Sequence, residues 1–441
     1  ALPASLLYRL SWYQRTVASV KPAVLSFTSL DDRGLFELDV DRAWNAAVTV
    51  TTCTTAGVLR FVHNAPQFDV VVVDEAAQAS EPEALIPLSL AGPATAMVLA
   101  GDLCQLGPRV RSPLNRDLTS LMQRLSRHPL YRSEGGGRGA CFSGTLSVSH
   151  RANSKLLDLP SRLFYDGRLS SRSESETLDW GELAPGFPIL CWGVDGRQLH
   201  RLDSPSYMNA EEAQKVAELC QRLLGETGIS SASIGVITPF RAQVLLVRRR
   251  LRQLGLGGIA VGQVEDYQGQ EEDVVIVSCV STQAHLGFFD DPRRFNVAVS
   301  RPRRLLIVLA HRNLLADLRF AELYKYCEAH GALRGTLSGP GVALPHDGRP
   351  GADGGGGSMA EWRPAAGTPG ELEGRGAEEG NRDAQLPDVP PAPPLPPPPP
   401  RSMLDSESAW GEQHPDDAML DEAVRAALEQ LLPVSGTEAA L

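Results

Sequence analysis

Residues 70–73 are four consecutive valines, and the run Phe68-Asp69-Val70-Val71-Val72-Val73-Asp74-Glu75-Ala76-Ala77-Gln78 leaves the chain few ways to fold. A stretch that is apolar at every position and β-branched throughout reads as a strand covered on both faces, as inside a parallel sheet flanked by helices. Two carboxylates close the run. In open α/β sheets ligands bind beyond the carboxyl ends of the strands, so Asp74 and Glu75 are expected to project where a nucleotide's phosphates and Mg²⁺ would lie. One acid of such a pair can hold Mg²⁺, which keeps several waters and few carboxylates; the other can polarise a water that attacks a γ-phosphate. Taken alone, the same residues are equally compatible with a strand that ends in a solvated acidic turn.

The rest of the chain repeats the pattern. Ser80-Glu81-Pro82-Glu83 opens a helix, with Ser80 as N-cap and acids in the first turn. A second apolar strand, Ala96 to Ala100, ends in Gly101-Asp102-Leu103-Cys104-Gln105, and Asp102 lies 28 positions after Asp74. That spacing holds a strand, a helix and a strand, so both strand ends can face one crevice. Further on, buried strands are read at Phe187–Leu190, Ile234–Ile237, Val274–Ser278 and Leu305–Leu309. Helices are read at residues 117–127, downstream of Asn153, over Asn209–Leu224 and over Gln243–Leu254. Leu6–Leu10 reads as a helix. Ala46–Cys53 reads as a Thr-rich strand, whose hydroxyls can serve a nucleic-acid backbone or simply reflect β-propensity. Strands and helices alternate in two batches, an α/β pattern of two doubly wound parallel-sheet lobes.

Composition changes near Gly335. From there to Leu441 there are six Arg and no Lys against 18 acidic residues, a balance of −12 against −11 for the whole chain, so the upstream part is nearly neutral at about +1. A near-neutral folded part is compatible with a basic groove on it. Residues 334–441 are expected to be a disordered Gly/Pro-rich acidic tail. Its stretch from Val389 to Arg401 reads as polyproline II, which can dock on SH3- or WW-type grooves or act as a bare spacer, and a partner-dependent helix is read over 416–432. The seven cysteines are odd in number and never form a Cys-x-x-Cys, which argues for reduced thiols over disulfides or zinc. No apolar run reaches the length of a membrane span and no signal pattern opens the chain; a soluble, cytoplasmic protein without membrane contact is expected.

Taken together the motifs resemble a known family. Asp74-Glu75-Ala76-Ala77-Gln78, Gly101-Asp102 with Gln105-Leu106-Gly107-Pro108, Thr238-Pro239-Phe240-Arg241, Gln268-Gly269-Gln270-Glu271 and Phe295 to Arg301 occur in the order of motifs II to VI of Upf-like superfamily 1 helicases, over about 230 residues. Leu159 to Tyr165, Gly186-Phe187-Pro188, Ser204 to Asn209 and Leu286-Gly287-Phe288 look most like the Armitage / Mov-ten branch of RNA helicases. The resemblance implies two RecA-like lobes, a partial first one over 1–140 and a second over 141–333. It also implies an ATP-dependent RNA helicase, 5′-to-3′ in direction, acting as a monomer in RNA-mediated silencing or RNA turnover, with ribonucleoprotein granules as a further location and silencing-complex proteins as partners of the tail.

By the same resemblance, ATP and Mg²⁺ are the cofactors and single-stranded RNA the partner. Asp74 is the Mg²⁺-associated acid, Glu75 the base that orients water, and Gln105 the sensor of the γ-phosphate. Arg151 and Arg301 are the arginines that reach the transferred phosphoryl group, where such a finger is worth ~10³ to 10⁵ in rate. Asp102, Gly269, Glu271 and Arg301 would bind the nucleotide, Glu271 through its ribose. Thr51, Thr52, Thr238, Pro239 and Phe240 would hold the RNA backbone. Three departures stand out: Ser149-His150-Arg151 replaces Asn-Tyr-Arg, Pro302 follows Arg301, and no Gly-x-x-x-x-Gly-Lys-[Ser/Thr] occurs anywhere. The last lacks the loop that cradles the β/γ phosphates, so the chain is expected to start downstream of it and to hydrolyse little ATP alone. The competing readings are a non-catalytic RNA-binding scaffold with a partner-recruiting tail, and a DNA helicase.

Overall fold

The structure is a computed structural model that describes residues 7–9, 25, 27–31, 33, 36–37, 39–61, 67–109, 119–131, 142–173, 176–178, 180–181, 186–200, 206–283 and 291–338. Its first elements are β1 (Leu7–Arg9), the antiparallel pair β2 (Ser29–Leu30) and β3 (Phe36–Glu37), α1 (Val40–Asn45), and β4 (Val48–Val50), which pairs in parallel with β1. The helix read over Leu6–Leu10 is thus corrected to a strand at Leu7–Arg9. Tyr8 is fully buried beside Ala43 and Leu59, with Trp44 and Phe68 packed against them. In so short a segment, pairing and burial outweigh a helix preference of a few tenths of a kcal/mol per residue. The Thr-rich strand is also shorter than read. It ends at Val50, because Thr52 caps α2 (Cys53–Ala56), accepting from the Thr55 N–H at 3.3 Å and donating to the Thr55 hydroxyl at 2.9 Å.

The valine run forms β5 (Val70–Val73), followed by α3 (Glu81–Leu88) and β6 (Ala96–Leu99). β5 and β6 pair in parallel from Val70 opposite Ala96 to Val73 opposite Leu99. Helix α3 begins where Ser80 predicted, with Glu83 Oε2 accepting from the Ser80 N–H at 2.9 Å. Coverage differs from the reading of the sequence. Val71 and Val73 are buried, but Val70 is 51% and Val72 59% exposed, as are Met97 at 59% and Val98 at 44%. Among the described residues β5 and β6 make a two-stranded sheet with α3 packed against β5, so the apolar run is covered on one face only.

After α4 (Leu121–Ser126), which begins within the helix read at 117–127, the short parallel pair β7 (Val148–Ser149) and β8 (Ser170–Ser171) brackets α5 (Ser154–Phe164). Then follow β9 (Ile189–Gly193), β10 (Gln198–His200), β11 (Tyr207–Asn209), α6 (Ala210–Thr227), β12 (Ile234–Ile237), α7 (Arg241–Gln253), β13 (Ala260–Gly262), β14 (Glu272–Ser278), α8 (Pro292–Val299), β15 (Pro302–Ala310), α9 (Leu318–Ala329) and β16 (Leu333–Gly335). Six of these strands form one parallel sheet in the order β13-β12-β14-β15-β9-β16. β12 is buried at all four positions, and Val274 to Ser278 of β14 and Leu305 to Ala310 of β15 are buried throughout, as apolar runs between helices should be. The molecule is thus the mixed α/β fold with parallel sheets that the alternating pattern predicted.

At the carboxyl edge of this sheet lies a buried polar cluster. Asn209, Glu212, Gln243 and Ser278 are each wholly inaccessible. Glu212 Oε2 accepts from the Ser278 hydroxyl at 2.6 Å and from the Val280 N–H at 2.9 Å. Gln243 donates to Ser278 Oγ and to the Asn209 carbonyl, both at 3.0 Å. Val280 holds φ of 65°, a left-handed conformation costly for a β-branched residue. Among the described residues no helix is long and apolar enough to cross a membrane. The polyproline stretch, the 416–432 helix and the expected disorder of the tail lie outside the described residues, as do Leu118, Ser204-Pro205 and Leu286-Gly287-Phe288.

Candidate nucleotide and nucleic-acid site

The carboxyl ends of β5 and β6 meet without a gap. The Ala76 N–H donates to the Ala100 carbonyl at 2.7 Å, and a Cβ at Gly101 would stand 2.8 Å from the Ala77 backbone nitrogen and 3.1 Å from the sulfur of Met122. Only glycine allows that approach. The turn carries Asp74, exposed, with Oδ1 accepting from the Glu75 N–H at 3.0 Å, and Glu75, whose φ of 51° is left-handed and whose Oε2 accepts from Gln78 at 3.0 Å. A strained non-glycine residue at a strand end is a recurrent property of functional turns.

Asp102 organises the next turn. Its Oδ1 accepts from the Cys104 N–H at 2.9 Å, and its Oδ2 accepts from Gln105 Nε2 at 2.8 Å and from the Tyr165 hydroxyl at 2.6 Å. Gln105 Oε1 accepts from Arg301 Nη2 at 2.8 Å, across 196 positions of sequence. Arg301 is 2% exposed; its Nε donates to the Val297 carbonyl at 3.1 Å and Nη1 to the Gln270 carbonyl at 3.3 Å. Burial, and then the like charge of Arg151, push the Arg301 pKa down to about 10, while Glu75, Tyr165 and Asp102 oppose the fall. The group stays protonated at neutral pH. Two guanidinium groups that repel each other, facing carboxylates, are an arrangement that an added polyanion relieves.

Arg151 donates to the Ser300 carbonyl at 2.9 Å and places Nε 3.5 Å from Glu271 Oε2. Glu271 also pairs with Arg303. The carboxylate assigned to a ribose is therefore already engaged by two arginines. Gly269 has φ of 73°, the left-handed turn that leads to the Gln270 carbonyl beneath Arg301. Pro302, directly after Arg301, opens β15 opposite Glu272, at a strand's first position, where a missing N–H costs least.

The residues expected to hold RNA fare differently. Thr238 is wholly buried and its hydroxyl is enclosed without a hydrogen-bond partner in the structure, as is that of Thr51. Each hydroxyl lies inside the packing at a strand end, which leaves the backbone at these positions as the group that can meet a nucleic acid. Thr52 spends its hydroxyl on capping α2. The Pro239 carbonyl accepts from Gln263 at 3.0 Å, and Phe240 stands edge-on to Tyr207 at 5.2 Å. Asp102, Gln105, Arg301, Arg151 and Glu271 are thus linked through hydrogen bonds and ion pairs, with Glu75 within their electrostatic reach; the threonines and Phe240 stand outside that network. Sequence reasoning missed Tyr165 and Asn296. Both sit inside quoted motifs, but the contact that involves them joins residues 63 and 192 positions apart.

The donor set bears on the cofactors. Among the described residues no group of three His, Cys, Asp or Glu side chains gathers to hold a metal. Mg²⁺ at a triphosphate needs no such cage, since one or two carboxylates with phosphate oxygens and water suffice, and the exposed Asp74 carboxylate fits that need.

Two family models, each described as an AAA domain, match residues 41–113 and 118–313. RNA helicase Mov10l1 of Mus musculus is 37% identical over 324 residues, covering 67% of this chain and 27% of that protein. Putative helicase MOV-10 of Gallus gallus is 35% identical over 335 residues, 65% of this chain and 34% of its own. The Regulator of nonsense transcripts 1 homolog of Arabidopsis thaliana is 33% identical over 291 residues, 62% of this chain and 22% of its own. This chain therefore spans between about a fifth and a third of the length of these relatives. Among solved structures, the arterivirus nonstructural protein 10 helicase aligns at 15% identity over 72% of this chain and 49% of its own, with a TM-score of 0.33. The matches from Mov10l1 to the nonsense-transcript regulator place the chain in one family: it belongs to the Upf-like superfamily 1 helicases, with Mov-ten-type RNA helicases among its relatives.

Proposed function

We propose that this chain supplies the nucleotide-responding part of an ATP-dependent, 5′-to-3′ RNA helicase. Residues up to about 140 form one lobe, 141–333 form the second, and the triphosphate lies between them. The observation that carries the reading is the hydrogen-bonded link from the half-buried Asp102 through Gln105 to the buried Arg301, with Arg151 behind it and Glu75 within electrostatic reach. In this reading Asp74 holds Mg²⁺, which when bound neutralises charge on the β- and γ-phosphates. Glu75 accepts a proton from the attacking water. Arg301 and Arg151 present planar donors to the charge that builds on the transferred group. Gln105, tied to both lobes, passes the loss of the γ-phosphate to the rest of the molecule.

RNA is gripped at the strand ends near Thr238–Phe240 and Thr51–Thr52 through backbone groups, since the hydroxyls are turned inward or used. Further parts of the proposal are action as a monomer in the cytoplasm and its ribonucleoprotein granules, a role in RNA silencing or turnover, and an acidic Pro-rich tail that recruits partners. The test is single-turnover hydrolysis of Mg·ATP, with protein in excess and with or without single-stranded RNA at stated salt. Because no Gly-x-x-x-x-Gly-Lys-[Ser/Thr] occurs in the chain, hydrolysis by it alone is expected to be low, and the RNA-stimulated part is expected to be lost in Arg301→Ala and in Glu75→Gln. Hydrolysis indifferent to both substitutions, or stimulated by single-stranded DNA and not by RNA, overturns the reading.

A further inference from the structure

The contact between the Asp102 turn and the two helices α5 and α8 is built from polar atoms with little freedom to be anything else. Tyr165, the residue after α5, donates its hydroxyl hydrogen to Asp102 Oδ2 at 2.6 Å. Asn296, in the middle of α8 and wholly buried, donates from one amide nitrogen both to that hydroxyl oxygen at 2.8 Å and to the Cys104 carbonyl at 2.9 Å. Around the phenol the order is thus fixed: Asn296 donates to Tyr165, and Tyr165 donates to Asp102. Burial, and then the negative charge of Asp102, raise the Tyr165 pKa well above the ordinary phenol value, so the hydroxyl keeps the proton it donates.

The same Asp102 oxygen also receives Gln105 Nε2 at 2.8 Å. A carboxamide has one donor end and one acceptor end. When the carboxylate takes the donor end, the acceptor Oε1 must face away, and there it meets Arg301 at 2.8 Å. Turned the other way, Gln105 would set two donors, its own NH₂ and the guanidinium, against each other. The side of Gln105 that faces Arg301 is therefore decided by Asp102, and Asp102 is held by Tyr165 and Asn296.

We propose that Tyr165 and Asn296 are positioning residues. They fix the Asp102 carboxylate, and through it the acceptor face of Gln105, only while α5 and α8 lie against the turn at residues 102–105. The pair makes the pairing of Gln105 with Arg301 conditional on how the helices of the six-stranded sheet are packed against that turn. The proposal deepens the triphosphate reading, since it rests on Gln105 and Arg301 being the phosphate-facing pair.

Tyr165→Phe removes one oxygen and keeps the ring, which makes it the sharpest variant. In the full chain, single-turnover Mg·ATP hydrolysis with polyuridine RNA is measured for the wild type, Tyr165→Phe, Asp102→Asn and the double variant, beside hydrogen exchange at residues 101–108 and 234–237. The hydrolysis rate is expected to fall about tenfold in Tyr165→Phe, as for a lost hydrogen bond to a charged group, with half-saturating ATP changed by less than about twofold. The double variant should be no slower than Asp102→Asn alone, because the two share one interaction. Exchange should quicken at 101–108 and stay unchanged at 234–237. Wild-type rate and wild-type exchange in Tyr165→Phe overturn the proposal, and so does equal loss of protection in both segments, which would make the hydroxyl a support of the fold. If the wild-type chain hydrolyses no ATP, as the missing phosphate-cradling loop allows, the triphosphate reading is tested by nucleotide binding instead, and it fails if saturating Mg·ATP leaves exchange around Gln105 and Arg301 unchanged. Exchange then decides the linkage by itself: quickening confined to 101–108 upholds it, and no change refutes it.

Discussion

The two parallel sheets that carry the site are made of similar sequence and differ in what covers them. β12 and most of β14 and β15 are buried on both faces, whereas every second residue of β5 faces solvent although the run is all valine. An unbroken apolar run is thus a statement about what a strand can tolerate, and the number of covered faces is decided by what packs on it. The better covered sheet also encloses the more expensive groups, a carboxyl at Glu212 and a strained backbone at Val280.

The largest test of this contrast is truncation. Ile276→Ala, in the fully buried centre of β14, is expected to cost ~2 to 5 kcal/mol, because it removes transferred area and leaves a cavity, whereas Val72→Ala should stay within about 0.5 kcal/mol. Chemical denaturation of both variants checks this, and equal losses would break the comparison. Next in size is the titration of Glu212. Burial raises its pKa from the ordinary 4.5 to about 7 against the hydrogen bonds from Ser278 and Val280 that pull it down. In that interval the folded chain holds a proton that the unfolded chain has released. Stability from this group is therefore greatest at low pH, falls as pH rises from about 4.5 towards 7, and is flat above, by a total on the order of 3 kcal/mol. Melting temperature against pH should show this descent, and Glu212→Gln should remove it while other acids keep their own slopes. The smallest effect concerns the uncovered face. Val72→Lys, at a position 59% exposed, should leave the unfolding midpoint nearly unchanged and reduce concentration-dependent self-association by light scattering. A large loss of stability would mean that the face is covered in solution.

Much of the architecture was legible because it depends on local pattern. The Ser80 cap, the strands at Ile234–Ile237 and Val274–Ser278, the helix after Asn209, and the placing of Asp74, Asp102 and Arg301 at strand or helix ends follow from periodicity and turn chemistry. What was not legible depends on distant neighbours. Leu7–Arg9 became a strand through a partner some 41 positions away, Leu7 opposite Val48. That the Thr238 hydroxyl is enclosed, and that Glu271 pairs with Arg151 and Arg303, are likewise facts of packing between distant segments. Tyr165 and Asn296 carried no local signal of their role. Each acts on a turn that is close only after the chain has folded.

Gly101 decides how closely two acidic strand tips can lie. With the backbone of Ala76 and Ala77 in van der Waals contact where a side chain would otherwise stand, the tips bearing Asp74, Glu75 and Asp102 have no slack between them. A side chain at this one position, as in Gly101→Ala, would have to wedge the two acidic tips apart.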